Sequence, residues 1–95
     1  MPRKSKNDYG DFLVVTSKPS WKERKLGRTK AWGLCYDDGH IEIDPRLRPK
    51  DYLDTLIHEL LHHHFPDLEE EDVEIIGTRI ASEVWRAKYR RVMKD

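Results

Sequence analysis

The stretch Leu53-Asp54-Thr55-Leu56-Ile57-His58-Glu59-Leu60-Leu61-His62-His63-His64-Phe65-Pro66 decides how this chain folds. Leu53, Leu56, Ile57, Leu60 and Leu61 recur at the i, i+3, i+4, i+7, i+8 spacing that gathers apolar side chains on one side of an α-helix. The pattern predicts a helix from Lys50 or Asp51 to His64 or Phe65. Pro66 stops it, because a proline ring disfavours helical backbone at the residue before it. At about 100° per residue, with Ile57 at zero, His58 falls at about 100°, His62 at about 140° and Glu59 at about 200°. All three lie away from the leucine stripe. His64 falls among the apolar residues and His63 on another side, so of the three consecutive histidines only His62 is in register with His58.

Upstream, residues 31–36 and 40–44 flank Asp37-Asp38-Gly39. Asp-Gly supplies the positive φ of a tight turn, which predicts an antiparallel hairpin. Ile41 and Ile43 would face one side of it, His40, Glu42 and Asp44 the other. Pro45 and Pro49 then lead into the helix. Residues 11–16 are apolar and β-branched enough for a short strand. Residues 17–30 are basic and leave their structure open, with Trp21 and Leu26 as expected buried anchors. Downstream, Asp67 is placed to cap a second helix from Leu68 to at least Tyr89. Its apolar face would be Val73, Ile76, Gly77, Ile80, Ala81 and Val84, with Gly77 marking a close approach to another element. The expected fold is α+β: a small antiparallel sheet or hairpin packed on the histidine-bearing helix and a long C-terminal helix.

The chain has 95 residues, 37% hydrophobic and 38% charged, which allows one domain with a thin core. That domain is expected over residues 11–95, behind a mobile basic arm at residues 1–10. A bound metal could add usefully to its stability. No apolar run has membrane-spanning length, and Met1-Pro2-Arg3-Lys4-Ser5-Lys6 lacks the apolar stretch of a signal peptide, so a cytoplasmic location is expected. Cys35 is the sole cysteine, which excludes an internal disulfide and a multi-cysteine zinc knuckle. The zero net charge divides into +6 over residues 1–30, −10 over residues 31–75 and +4 over residues 76–95. The acidic middle favours a cation, and the two histidines lie in it.

His58 and His62, one helical turn apart, can hold one Zn²⁺ between them, and Glu59 can take a proton from a metal-bound water. A catalytic zinc needs a third protein ligand and an open position. A third histidine six residues on is absent, because position 68 is leucine. The remaining source is a glutamate of the following helix. Glu70 points inward, Glu74 lies at the edge of that face and Glu71 toward solvent, while Glu83 lies roughly 20 Å along the helix. Glu70 is the expected ligand and Glu74 the reserve. Glu70 also has capping-box spacing from Asp67, so it could instead bond a backbone N–H.

These residues resemble a minimal gluzincin-type zinc peptidase, of the small domains grouped near the SprT-like and ImmA/IrrE-like metallopeptidases. The resemblance covers residues 31–85. It rests on Ile41-Glu42-Ile43-Asp44, on Leu56-Ile57-His58-Glu59-Leu60-Leu61-His62, and on Glu70 followed by Val73, Gly77 and Ala81. It implies a zincin-like fold and one zinc per chain, with Glu59 as general base and peptide bonds as substrate. It also implies that one arm of the 31–44 hairpin lies beside the active-site helix, where an extended peptide can add as a strand. His40, Tyr52 and Arg79 are conceivable oxyanion donors. The gap from His62 to Glu70 is shorter than in many gluzincins.

Two other classes compete. One is a zinc-stabilised binding module without turnover. The other is a nucleic-acid-associated protein, suggested by Arg86-Ala87-Lys88-Tyr89-Arg90-Arg91, although cations also suit a helix C-terminus. Trp21, Trp32 and Trp85 are expected in the core rather than as a substrate platform. Cys35 is expected as a small buried hydrophobe rather than a nucleophile.

Overall fold

The computed structural model describes residues 13–27 and 31–92. Among these, five elements follow in order: β1 (Ser20–Glu23), β2 (Gly33–Cys35), β3 (His40–Ile43), α1 (Pro49–His64) and α2 (Glu70–Arg86). The Asp-Gly turn forms as its residues dictate. Gly39 takes φ 88°, the Tyr36 N–H donates to the His40 carbonyl at 2.9 Å, and β2 pairs antiparallel with β3.

The rest of the sheet corrects the expectation of an antiparallel sheet. β1 pairs parallel with β3, so the sheet is mixed and ordered β1-β3-β2, with β2 at an edge. The strand expected at residues 11–16 is not one at residues 13–16, and Asp11 and Phe12 lie outside the described residues, as does the expected arm. Residues 13–16 serve the end of α1 instead. The Val15 N–H donates to the His64 carbonyl at 2.8 Å, and His64 Nδ1 bonds the Val15 carbonyl at 2.6 Å. A helix end has carbonyls in need of donors, and this segment supplies one. β1 escapes sequence reading because all four of its residues are exposed, which erases any alternation.

Ile41 and Ile43, both 0% exposed, pack with Tyr52, Leu56 and Leu60 of α1. By alternation His40, Glu42 and Asp44 turn to the other face. Glu42 and Asp44 are nonetheless buried, because each is covered by its cation. Arg24 pairs with Glu42 at 2.9 Å and Arg46 with Asp44 at 2.7 Å, and these arginines are the main cause holding both carboxyls below the usual range. The Leu26 N–H donates to Asp44 at 3.0 Å, which buries Leu26 as expected. Trp21 and Trp32 are not core: they are 47% and 56% exposed.

α1 opens with Pro49 at its first turn and lies between the sheet and α2, while α2 packs on α1 and touches no strand. Being covered on two sides shifts the most buried face of α1 to Tyr52, Thr55 and Glu59, and leaves the leucine stripe half-buried. α2 begins at Glu70, with Glu69 and not Asp67 at its N-cap. It ends at Arg86 rather than beyond Tyr89, and Lys88 takes φ 73°. The chain then turns back. Arg90 lies over the Trp85 ring at 3.8 Å, and Arg91 pairs with Glu23 and lies over the Tyr52 ring at 4.0 Å. Val73, Gly77 and Ala81 face α1, but Ile76 and Ile80 are exposed because no other described element packs on α2. Among the described residues no helix is long and apolar enough to cross a membrane.

Candidate metal centre

One helical turn separates His58 from His62, so their rings meet edge to face on one side of α1, with centroids 4.8 Å apart. Across the short link from α1, the first residue of α2 is Glu70, and its carboxylate closes on both rings. Its Oε2 lies 3.1 Å from His58 Nε2, its Oε1 lies 2.8 Å from His62 Nε2, and the two Nε2 atoms are 3.2 Å apart. Zinc bonds of ~2.0–2.1 Å in a tetrahedron place neighbouring donors ~3.3 Å apart. The three separations are somewhat shorter than that and reach two different carboxylate oxygens, and two imidazoles with one carboxylate are donors that zinc accepts. His58, His62 and Glu70 could therefore hold a metal ion together. Glu71 and Glu74 stand outside this group, and Glu83 is committed to Arg86. Asp67 is not the cap, so Glu70 has no capping box to complete.

The other histidines do different work. His63 Nε2 bonds the Ser17 carbonyl at 2.8 Å and packs on the Gly39 turn, and His64 bonds Val15. The run His62-His63-His64 thus divides into one inward-facing imidazole and two that tether residues 15–17 to the helix end.

Glu59 is 8% exposed. It is buried because β2 comes unusually near α1 at Gly33, where a Cβ would stand 2.7 Å from Thr55 Cγ2 and 3.2 Å from Glu59 Cγ. Burial is the main cause pushing its carboxyl above the ordinary value; the His62 ring opposes the shift and the Glu70 carboxylate adds to it. Glu59 lines two cavities of about 540 and 570 Å³ that run in opposite directions along β2. His62 borders the first, toward the Asp37-Asp38 turn, and His58 and Glu70 border the second, toward Trp32. The motif residues therefore sit where the two cavities meet, in one groove with β2 as its wall.

Among the described residues no strand pairs with the outer edge of β2. The Tyr36 N–H bonds inward to His40 and the Trp32 carbonyl accepts from the Asp44 N–H. Antiparallel pairing alternates, so Leu34 also bonds inward, and Gly33 and Cys35 direct their N–H and C=O groups outward over the groove. Sequence reasoning found the motif but not Gly33, whose only signal was a glycine inside a predicted strand.

The three conceivable oxyanion donors are elsewhere. His40 stacks on Tyr36 on the far face of the sheet, the Tyr52 hydroxyl donates to Glu23 at 2.7 Å, and Arg79 lines neither cavity. Cys35 is half-buried in the groove wall, with its thiol pushed up first by burial and then by Glu59. In the basic C-terminal run, Arg86, Arg90 and Arg91 each have a partner within the chain.

Compared with protein-family models, with curated proteins and with solved structures, the chain matches none.

Proposed function

We propose that this protein is a zinc-dependent peptidase of the zincin type. The reading is carried by one observation: two imidazole nitrogens, 3.2 Å apart, and a carboxylate from the adjoining helix converge beside the buried Glu59. His58, His62 and Glu70 would hold the ion. When bound, zinc supplies a Lewis acid that polarises a carbonyl and lowers the pKa of water toward ~7. The rest falls to the protein. An extended peptide adds to the outer edge of β2, where the outward groups of Gly33 and Cys35 fix its register. Glu59 accepts a proton from water as the water oxygen bonds the carbonyl carbon. It returns that proton to the nitrogen as the C–N bond breaks. The raised affinity of Glu59 for protons suits a base that must become an acid within the same cycle.

The test is metal analysis and peptide hydrolysis of the purified chain beside its Glu59→Gln variant. About one zinc per chain in both, with hydrolysis in the wild type alone, is the expected result. Zinc in both with hydrolysis in neither would leave a zinc-stabilised binding module. A chain that takes up no zinc refutes both readings.

A further inference from the structure

We infer that the Trp32 end of the groove is a subsite for a lysine or arginine side chain of the bound peptide. The inference rests on the peptidase reading for the groove's use, and on separate residues for its selectivity. Asp54 precedes His58 by four residues and Glu74 follows Glu70 by four, and both line the same cavity. Each carboxylate thus stands one turn beyond a metal ligand, about 6 Å along its helix axis and on the same side. An extended peptide advances a similar ~6.6–6.8 Å in two residues, the interval between side chains on one face of a strand. A side chain near the scissile bond would therefore fall between Asp54 and Glu74.

Its occupant must be cationic. Trp32, 56% exposed, lines this cavity too, so an aliphatic stem can lie on the indole while its cationic head reaches the carboxylates. Neither Asp54 nor Glu74 has an ion-pair or hydrogen-bond partner among the described residues. Among the described residues no lysine or arginine lines either cavity. The charge of a bound Zn²⁺ would be balanced by Glu59 and Glu70. Asp54 and Glu74, with Asp37 and Asp38 at the other end, would then leave the described lining of the groove with a net negative charge. Such a charge attracts a basic side chain and repels an acidic one.

Zinc-loaded Glu59→Gln protein allows binding to be read without turnover. Labelled unstructured peptides that differ only in central Lys, Arg, Gln or Glu residues are titrated by fluorescence anisotropy. The Lys and Arg peptides should bind at least ~5-fold more tightly than the Gln peptide, with the Glu peptide weakest, and the difference should shrink with added salt. Adding Asp54→Asn and Glu74→Gln should cut the preference below about 2-fold with zinc content unchanged. Trp32→Ala should weaken the Lys peptide by ~2–5-fold and leave the Glu peptide alone. Equal binding of all peptides, binding of none, or a preference that survives the double substitution overturns the subsite. Wild-type hydrolysis indifferent to charge would sink the subsite and spare the peptidase. Selective binding without any hydrolysis would do the reverse.

Discussion

Substituting Gly33 by alanine should loosen the groove from its wall. The new Cβ would stand 2.7 Å from Thr55 Cγ2, 3.2 Å from Glu59 Cγ and 3.3 Å from the Glu42 carbonyl oxygen. Ordinary contact starts at 3.4 Å, so β2 and α1 must part by about 0.7 Å, the difference between 3.4 and 2.7. No neighbour yields easily. Thr55 is buried and stiff at χ1, and the Glu42 oxygen belongs to the sheet ladder. Overpacking of this kind costs about 1–3 kcal/mol, which for a domain of this size lowers the unfolding midpoint by roughly 5–20 °C. Thermal unfolding followed by circular dichroism measures it. The cause is isolated by Thr55→Ser, which removes the offending methyl and keeps the hydroxyl. In that background Gly33→Ala should cost at least ~1 kcal/mol less. An equal cost in both backgrounds, or a cost below ~0.5 kcal/mol in the first, would refute the close approach.

Gly77 should behave in the opposite way. A Cβ there meets Leu61 Cδ1 at 3.6 Å and His58 Cα at 3.7 Å, ordinary contacts, so Gly77→Ala should stabilise α2 by about 0.5–1 kcal/mol in denaturant unfolding. His62→Ala and Glu70→Ala should each lose the metal on dialysis, whereas Glu74→Ala should keep about one ion per chain by elemental analysis. Glu59→Gln should raise the midpoint of the metal-free protein near neutral pH. Burial raises the folded carboxyl, so the stability this group contributes is present below its unfolded pKa of ~4.3 and is lost as pH rises through the folded value. The gain should therefore vanish below pH ~4.3, and a gain that persists there would contradict this account. Asp44→Asn should destabilise at neutral pH. Arg46 holds the folded Asp44 carboxyl low, so its stabilisation is fully present above ~3.9 and declines below it, and variant and wild type should converge only as pH falls through the much lower folded value.

Much of the site was legible because an α-helix converts spacing directly into direction. His58, Glu59 and His62 were placed on one side of α1 by rotation alone, and the inward angle of Glu70 followed from the rotation of α2. The hairpin was legible for a similar local reason: Asp38-Gly39 permits few other turns. The misreadings share a different cause. Residues 13–16 have strand composition, but the carbonyl of His64 and the ring next to it took their hydrogen bonds. Trp21 and Trp32 read as core because they are large and apolar, yet among the described residues only one helix packs on the sheet, which leaves them at its margins. Helical periodicity carries past the end of α2 at Arg86 because Lys88, Tyr89, Arg90 and Arg91 suit a helix as well as they suit the return to Tyr52 and Glu23.

The sequence by itself determined that two helices form, where the turn lies and the direction of each histidine, because those depend on residues at most a few positions apart. Only the tertiary structure decided which carboxylate meets the two imidazoles, that β1 joins the sheet in parallel, and that Gly33 admits α1 closely enough to bury Glu59. Those outcomes depend on distances between segments remote in the chain, and no local periodicity encodes them.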